Sequence, residues 1–179
     1  LLERCPQVAG ARFVDIEATA GTWLRPADAE GRPLPLRIMP IGDSITEGDN
    51  GGYRYPLFEK LTATVGMPNF VGRRNGRLSD PAEMPDNDHE GYSAYRIDEI
   101  ASGQGFWGAP PIEVRLKDWD PAVVTIHAGT NDAQQNYYFD GDASIGMPSA
   151  IERLNDLVER IRAYNPATTI IVAQIIPAN

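Results

Sequence analysis

Cysteine is almost absent from this sequence of 179 residues, with Cys5 standing alone. A lone thiol closes no intrachain disulfide, and with two histidines, His89 and His127, no Cys/His cluster has zinc spacing. A disulfide scaffold is thereby excluded, while the compartment stays open because large secreted domains fold without bridges. Basic residues are also in short supply: sixteen Lys and Arg face twenty-five Asp and Glu, for a net charge of −9. An acidic chain without a basic run offers nothing to a phosphate backbone or an anionic lipid surface, so neither nucleic acid nor membrane is an expected partner. The longest apolar run, Ile170 to Ile176, is interrupted by Gln174 and falls far short of the roughly 20 residues a bilayer requires. There is no Asn-x-Ser/Thr acceptor, internal repeat or low-complexity tract. The opening Leu1-Leu2-Glu3-Arg4 has neither a Met nor a signal-peptide pattern, which suits a mature or excised piece.

The rest is the balance of a globular domain, 42% hydrophobic and 23% charged. Residues 1–35 read as an N-terminal extension or linker. Ala11 to Ala18 has strand character, and Arg25 to Pro35 mixes three prolines and a glycine with charges. From Leu36 to Asn179 the pattern becomes regular. Leu36 to Ile41, Asn69 to Gly72, Ala122 to His127 and Thr168 to Ile176 read as short strands. Tyr55 to Val65 places Leu57, Phe58, Leu61 and Val65 on one helical face, and Tyr95 to Ala101 is a shorter helix with Ile97 and Ile100 on one side. The clearest helix is Ser149 to Tyr164. Ser149 is its N-cap, Ile151, Leu154, Leu157, Val158 and Ile161 are its stripe, and Asn165-Pro166 ends it.

Strands alternating with helices predict an α/β fold, a parallel sheet covered by helices on both faces. Ligands of such sheets sit outside the carboxyl ends of the strands. The loops after Ile41, His127 and Ile176 should therefore line one site. The first carries Gly42-Asp43-Ser44, an exposed hydroxyl on a tight turn before a helix, where a nucleophilic serine is favoured. Thr46 stands where an α/β-hydrolase elbow requires a second glycine, which disfavours that family. Taken alone, Asp43-Ser44 is more often a turn or helix cap. The loop after His127 carries Gly129-Thr130-Asn131-Asp132. An Asn amide there can donate to a developing oxyanion, and an Asx-turn is the bland alternative.

Gly42-Asp43-Ser44 after an apolar strand resembles the first block of the SGNH (GDSL-type) hydrolases, and Gly129-Thr130-Asn131-Asp132 resembles their third. Asp86 to Asp98 (DNDHEGYSAYRID) is similar to the segment around the second. The wording LRIMPIGDSITEG and HAGTND is most similar to carbohydrate esterase family 3, the acetylxylan-esterase-like branch, over about residues 36–179. The resemblance implies a three-layer α/β/α sandwich, flavodoxin-like in strand order. It implies Ser44 as nucleophile, with an oxyanion hole from the N–H groups of Ser44 and Ala94 and the Asn131 amide. Glycine is usual at the second-block position, and Gly91 is the alternative if the register slips. Asp43 and Asp132 would fix the loops by hydrogen bonds.

The family's base is a histidine in a late Asp-x-x-His block, following a further strand. This chain ends before such a block, so the expectation is a core incomplete at its C-terminus, without its last strand, the Asp/His loop and a closing helix, and weakly active or inactive by itself. Whether a C-terminal companion fragment supplies the catalytic His and Asp is left open by the sequence. His127 reads better as a residue shaping the loop. Asp86-Asn87-Asp88-His89 has Asp-x-x-His spacing but precedes the second block, leaving His89 as a minor candidate base.

The implied activity is hydrolysis of short acyl esters, above all acetyl groups on xylan or related polysaccharides, by a secreted protein. Acetylated polysaccharide or a small acyl ester would be its partner, and no cofactor is required. The alternative is a non-catalytic carbohydrate-binding or structural domain of the same fold. Asp49, Asp86 and Asp88 with Asn50 and Asn87 could hold a structural calcium, though no EF-hand spacing is present and solvated acidic loops are commoner. Tyr53, Tyr55, Trp107, Tyr137 and Tyr138 could stack on sugars and are as often packing residues. Trp23 and Trp119 are expected to bury, and Arg73, Arg74 and Arg77 to form a solvated turn.

Overall fold

A computed structural model describes residues 35–48, 52–75, 84–135 and 138–174. The expected strand at 11–18, the extension to residue 34, Trp23, Asp49, Asn50, Arg77, Tyr137 and Ile176 lie outside them. The elements in order are β1 (Arg37–Gly42), α1 (Ser44–Glu47), α2 (Arg54–Val65), β2 (Asn69–Phe70), β3 (Arg74–Asn75), β4 (Asp88–Gly91), α3 (Ile97–Ser102), α4 (Ile112–Trp119), β5 (Val123–His127), α5 (Thr130–Gln134), α6 (Ala150–Tyr164) and β6 (Thr169–Val172).

β1 is central. β5 lies parallel along its whole length, from Ile38 opposite Val123 to Gly42 opposite His127, and β6 continues the sheet beyond β5. The other flank of β1 is shared. β2 pairs with Arg37 and Ile38, and β4 with Ile41 and Gly42. The chain leaves β1 toward one flank and later crosses to the other, so the end of β1 is the switch point where doubly wound sheets hold ligands. The expectation of an all-parallel sheet needs one correction, because β3 pairs antiparallel with β4 through Arg74–His89 and Asn75–Asp88. A short return strand at the sheet edge needs no crossover helix, so antiparallel pairing is open to it.

Side chains alternate across the sheet and supply two cores. Met39, Ile41, Val124 and Ile126 face Ile97, Ile100, Ile112, Leu116, Leu157, Val158 and Ile161 of α3, α4 and α6. On the opposite face, Ile38 and Phe70 pack with Phe58 of α2, backed by Leu57 and Leu61. Helices thus cover both faces, as the three-layer reading requires. Ser149 caps α6 with Glu152 in a reciprocal box: Ser149 Oγ accepts the Glu152 N–H at 3.2 Å and Glu152 accepts the Ser149 N–H at 2.7 Å.

Several details depart from the periodicity. Ile151 is exposed and Leu154 only half-buried, while Arg153 takes a buried place in the α6 stripe because its guanidinium meets a buried carboxylate. Trp119 is half-buried against the main core. The strand expected at 69–72 narrows to Asn69–Phe70, and β6 is Thr169–Val172 within the stretch expected at 168–176, of which residues 175 and 176 lie outside the described ones. β4 and α4 have no counterpart among the expected elements. β4 reads Asp-His-Glu-Gly, yet His89 and Glu90 are buried. Glu90 is satisfied there by buried Arg115 at 3.3 Å, the Tyr92 hydroxyl at 2.9 Å and the Arg73 N–H at 2.6 Å.

Candidate active site

The sheet register brings three loops to one level. Gly42 ends β1 directly between Gly91 of β4 and His127 of β5. The first two residues beyond extend this pairing: the Tyr92 N–H donates to Gly42 O at 2.9 Å and the Asp43 N–H to His127 O at 3.4 Å. Two glycines permit the approach. A Cβ on Gly42 would overlap the His127 carbonyl and the Thr46 hydroxyl, and a Cβ on Gly91 would overlap the backbone nitrogen of Glu47.

Ser44, the expected nucleophile, opens α1 and is exposed, whereas the residues on either side of that turn are anchored. Asp43 is fully buried and caps α1, its Oδ1 accepting the Ile45 N–H at 2.9 Å. Its Oδ2 is buried without a hydrogen-bond partner, and burial pushes the carboxyl above its ordinary range against the opposing Ile45 N–H and His127. A four-residue helix leaves its last carbonyls without intrahelical donors. Buried Arg54 supplies them, giving Nε to Thr46 O at 2.9 Å, Nη2 to Glu47 O at 3.0 Å and Nη1 to Asn87 O at 2.9 Å. Within α1, the Thr46 hydroxyl donates to Ile41 O at 3.3 Å and meets the Tyr53 hydroxyl at 3.2 Å.

The second loop carries Ala94, which is exposed and adopts φ 67°, a left-handed conformation favoured by glycine. No backbone carbonyl among the described residues takes its N–H. The same holds for the N–H of Ser44. Gly91 differs: it closes β4, and its N–H is committed to His89 Nδ1 at 2.9 Å. The third loop is locked to the second. Asn131 Nδ2 donates one hydrogen to Tyr95 O at 2.9 Å, and an amide nitrogen carries a second hydrogen besides. Buried Asp132 accepts the Ile97 N–H at the start of α3 at 3.1 Å. Arg153 Nη1 stands 2.8 Å from its Oδ1, an ion pair without hydrogen-bond alignment. Burial raises the Asp132 carboxyl, with the Ile97 N–H and Arg153 opposing.

His89 is buried in β4 with Nδ1 taken by Gly91. His127 ends β5 stacked on Tyr53 with ring centroids 5.9 Å apart, and its Nδ1 is buried. The calcium candidates are partly used by the fold, since Asp86 accepts the Phe70 N–H at 2.7 Å. Among the described residues no group of three or more His, Cys, Asp or Glu could hold a metal.

Glu47 escaped the sequence reading, and Arg74 and Trp107 make contacts it did not assign to them. Buried Glu47 accepts the Ser93 N–H at 3.0 Å and the Ser93 hydroxyl, and pairs with Arg74 at 2.7 Å. Arg74 is therefore no solvated turn residue, although Arg73 is exposed. Its guanidinium lies over the rings of Tyr92 and Trp107 at 5.4 and 5.3 Å. Trp107 donates Nε1–H to Ser93 O at 2.9 Å. Glu47 belongs to the same GDSITEG wording as Ser44, and that adjacency was its only signal.

The model of the GDSL-like lipase/acylhydrolase family matches residues 41–179. A family 3 carbohydrate esterase from Clostridium thermocellum is 32% identical with a TM-score of 0.62, over 78% of this chain and 61% of that one. A carbohydrate esterase family 3 structure from Talaromyces cellulolyticus is 27% identical with a TM-score of 0.55, over 76% and 60%. A multidomain esterase from Ruminococcus flavefaciens is 29% identical over 155 residues, which are 79% of this chain and 19% of that protein. The chain thus spans about three fifths of the length of these solved relatives. The match covers all three loops described above, and the chain belongs to the GDSL-like lipase/acylhydrolase family.

Proposed function

We propose that the protein hydrolyses short acyl esters, removing acetyl groups from xylan or a related polysaccharide through an acyl-enzyme on Ser44. The observation that carries this reading is the bonding of three loops to one another around an exposed Ser44 at the end of β1. The names of the relatives favour acetyl esters on carbohydrate, one being a structure of an acetyl esterase mutant with an acetate ion at 25% identity. Ser44 Oγ attacks the acetyl carbonyl and gives its proton to the histidine of the family's late Asp-x-x-His block. The oxyanion lies among the N–H groups of Ser44 and Ala94 and the second Asn131 amide hydrogen. The protonated histidine releases the sugar alcohol, and water then frees acetate. Asp43 and Asp132 hold the loops and take no part in the proton transfers. No step calls for a metal or cofactor, and a polymeric substrate fits a secreted enzyme.

Acetate release from acetylated xylan by the full-length protein tests the reading, with Ser44→Ala alongside. In a comparable triad, removing the serine lowers kcat by about 10⁶. The exposed position of Ser44 predicts an unfolding midpoint unchanged by the substitution. Turnover that survives Ser44→Ala sinks the mechanism. Glycan binding without any turnover would instead establish a non-catalytic domain, and preference for long acyl chains would move the substrate class to lipids.

A further inference from the structure

We propose that Trp107 is a positioning residue that orients the oxyanion donor, an inference that rests on the proposed function. The trans peptide is planar, so the C=O of Ser93 and the N–H of Ala94 point in opposite directions from one rigid unit. Fixing the first aims the second. Trp107 Nε1 holds Ser93 O at 2.9 Å. The other end of Ser93 is held too, its N–H and hydroxyl both donating to buried Glu47. Ser93 is thus gripped on three polar atoms, and the next backbone donor is the N–H of Ala94, which no backbone carbonyl among the described residues takes.

The indole is itself held in place. The Trp107 backbone N–H donates to the Tyr95 hydroxyl at 3.0 Å, and buried Tyr95 stacks on Tyr92 at 5.0 Å between centroids. Arg74, paired with Glu47, lies against the indole at 5.3 Å. Glu47, Ser93, Trp107 and Arg74 therefore close a ring of contacts around one peptide. Such a ring has a task here, because Ala94 at φ 67° is in a conformation that an alanine holds only under constraint. A hydrogen bond to the carbonyl also polarises the amide and strengthens its N–H as a donor. The rival role for a half-exposed Trp107 beside exposed Phe106 is a stacking platform for a sugar. Only the positioning role uses the indole N–H and follows the oxyanion rather than the sugar.

The test is Trp107→Phe in the full-length protein, assayed on 4-nitrophenyl acetate, which carries no sugar. An aromatic ring remains, smaller than the indole, and the N–H is lost. Direct removal of an oxyanion donor costs about 10²–10³ in kcat, so loss of its aim is expected to cost roughly 10-fold with KM within twofold. Inhibition by a small alkylboronic acid, whose serine adduct places a tetrahedral oxygen in the hole, should weaken by the same factor. A merely structural role would lower the unfolding midpoint and leave both ratios alone. Unchanged kcat and unchanged boronate inhibition overturn the inference. So does a raised KM on acetylated xylan with kcat intact, which would make Trp107 a sugar platform. If Trp107→Phe fails to fold, benzothienylalanine at position 107, with sulfur in place of N–H, takes the same measurements. Turnover that survives Ser44→Ala removes the proposed function as well. With Ser44→Ala inactive and Trp107→Phe unaffected, the positioning role alone fails.

Discussion

The two flanks of β1 hold their neighbours by different physics. Toward β5 there are five successive register pairs, with Met39 beside Val124 and Ile41 beside Ile126 in the apolar core. Toward β4 there are two, Ile41–Glu90 and Gly42–Gly91, and the side chains brought in are a buried His and a buried Glu. A short ladder with polar side chains has little apolar area to bury, so directional bonds carry the cohesion: Arg115 and Tyr92 on Glu90, Arg74 and Ser93 on Glu47, and Arg54 on the carbonyls of α1. Apolar packing is non-directional, whereas hydrogen bonds favour a limited range of distance and weaken steeply when misaligned. The flank built from directional bonds is also the one that carries Ala94. The loop of the proposed oxyanion donor is thus held mainly by directional interactions.

The largest expected effect sets the flanks against each other. Glu90→Ala leaves the Arg115 guanidinium fully buried without its carboxylate, and breaking such a pair costs about 3–5 kcal/mol. Ile126→Val on the opposite flank trims one buried methyl group from a well-packed core and costs about 0.5–1.5 kcal/mol. Urea unfolding of the two variants measures both. Equal losses would mean that the buried ion pair contributes no more than ordinary packing, and the contrast between the flanks would disappear.

The end of the β5 flank has its own titration. Burial raises the Asp43 carboxyl above its ordinary value of 3.8, so the folded state binds the proton more tightly than the unfolded chain. The stabilisation from this group is complete below 3.8 and is lost as pH rises through the folded value. Asp43→Asn has no such slope and keeps an oxygen for the Ile45 N–H. The stability of the wild type relative to Asp43→Asn is therefore expected to fall as pH rises above 3.8, as read by urea midpoints. Asp86, Asp88 and Asp132 are raised as well but are common to both proteins, so they cancel. A difference that grows with pH would place a stabilising partner at Oδ2, where the described residues provide none.

The sequence made one flank far more legible than the other. Leu36 to Ile41 and Ala122 to His127 are apolar runs bounded by turn residues, and each became a strand within a residue or so of its expected ends. The helix at 149–164 was legible from its Ser149 cap and from Leu157, Val158 and Ile161, although Ile151 of the expected stripe is exposed. β4 was not, because Asp-His-Glu-Gly has no apolar alternation, and its burial depends on Arg115 twenty-five residues away. Arg74 had the same problem, since nothing in the Arg73-Arg74 dipeptide points to Glu47 or Trp107. Of the site, Ser44 and Asn131 stood out because their motifs are local. The ring around Ser93 did not, since it joins positions 47, 74, 93 and 107, which only folding brings together.

The smallest expected effect concerns Ala94, where family resemblance and geometry meet. The resemblance leads one to expect glycine, and φ 67° is the backbone reason. An L-residue in the left-handed region costs roughly 1–2 kcal/mol, a strain that Ala94→Gly would relieve. Glycine gives back about 0.4–1 kcal/mol through the freedom it adds to the unfolded chain. The net expectation is a gain of about 0.5 kcal/mol, measured as a small rise in the urea midpoint. The methyl group is exposed, so its removal opens no cavity in the core. If the midpoint falls instead, Ala94 is not strained at φ 67°, and the bonds on Ser93 have nothing to oppose. If it rises, the polar flank is storing backbone strain beside the site, held there by Glu47 and Trp107 rather than by the strand ladder.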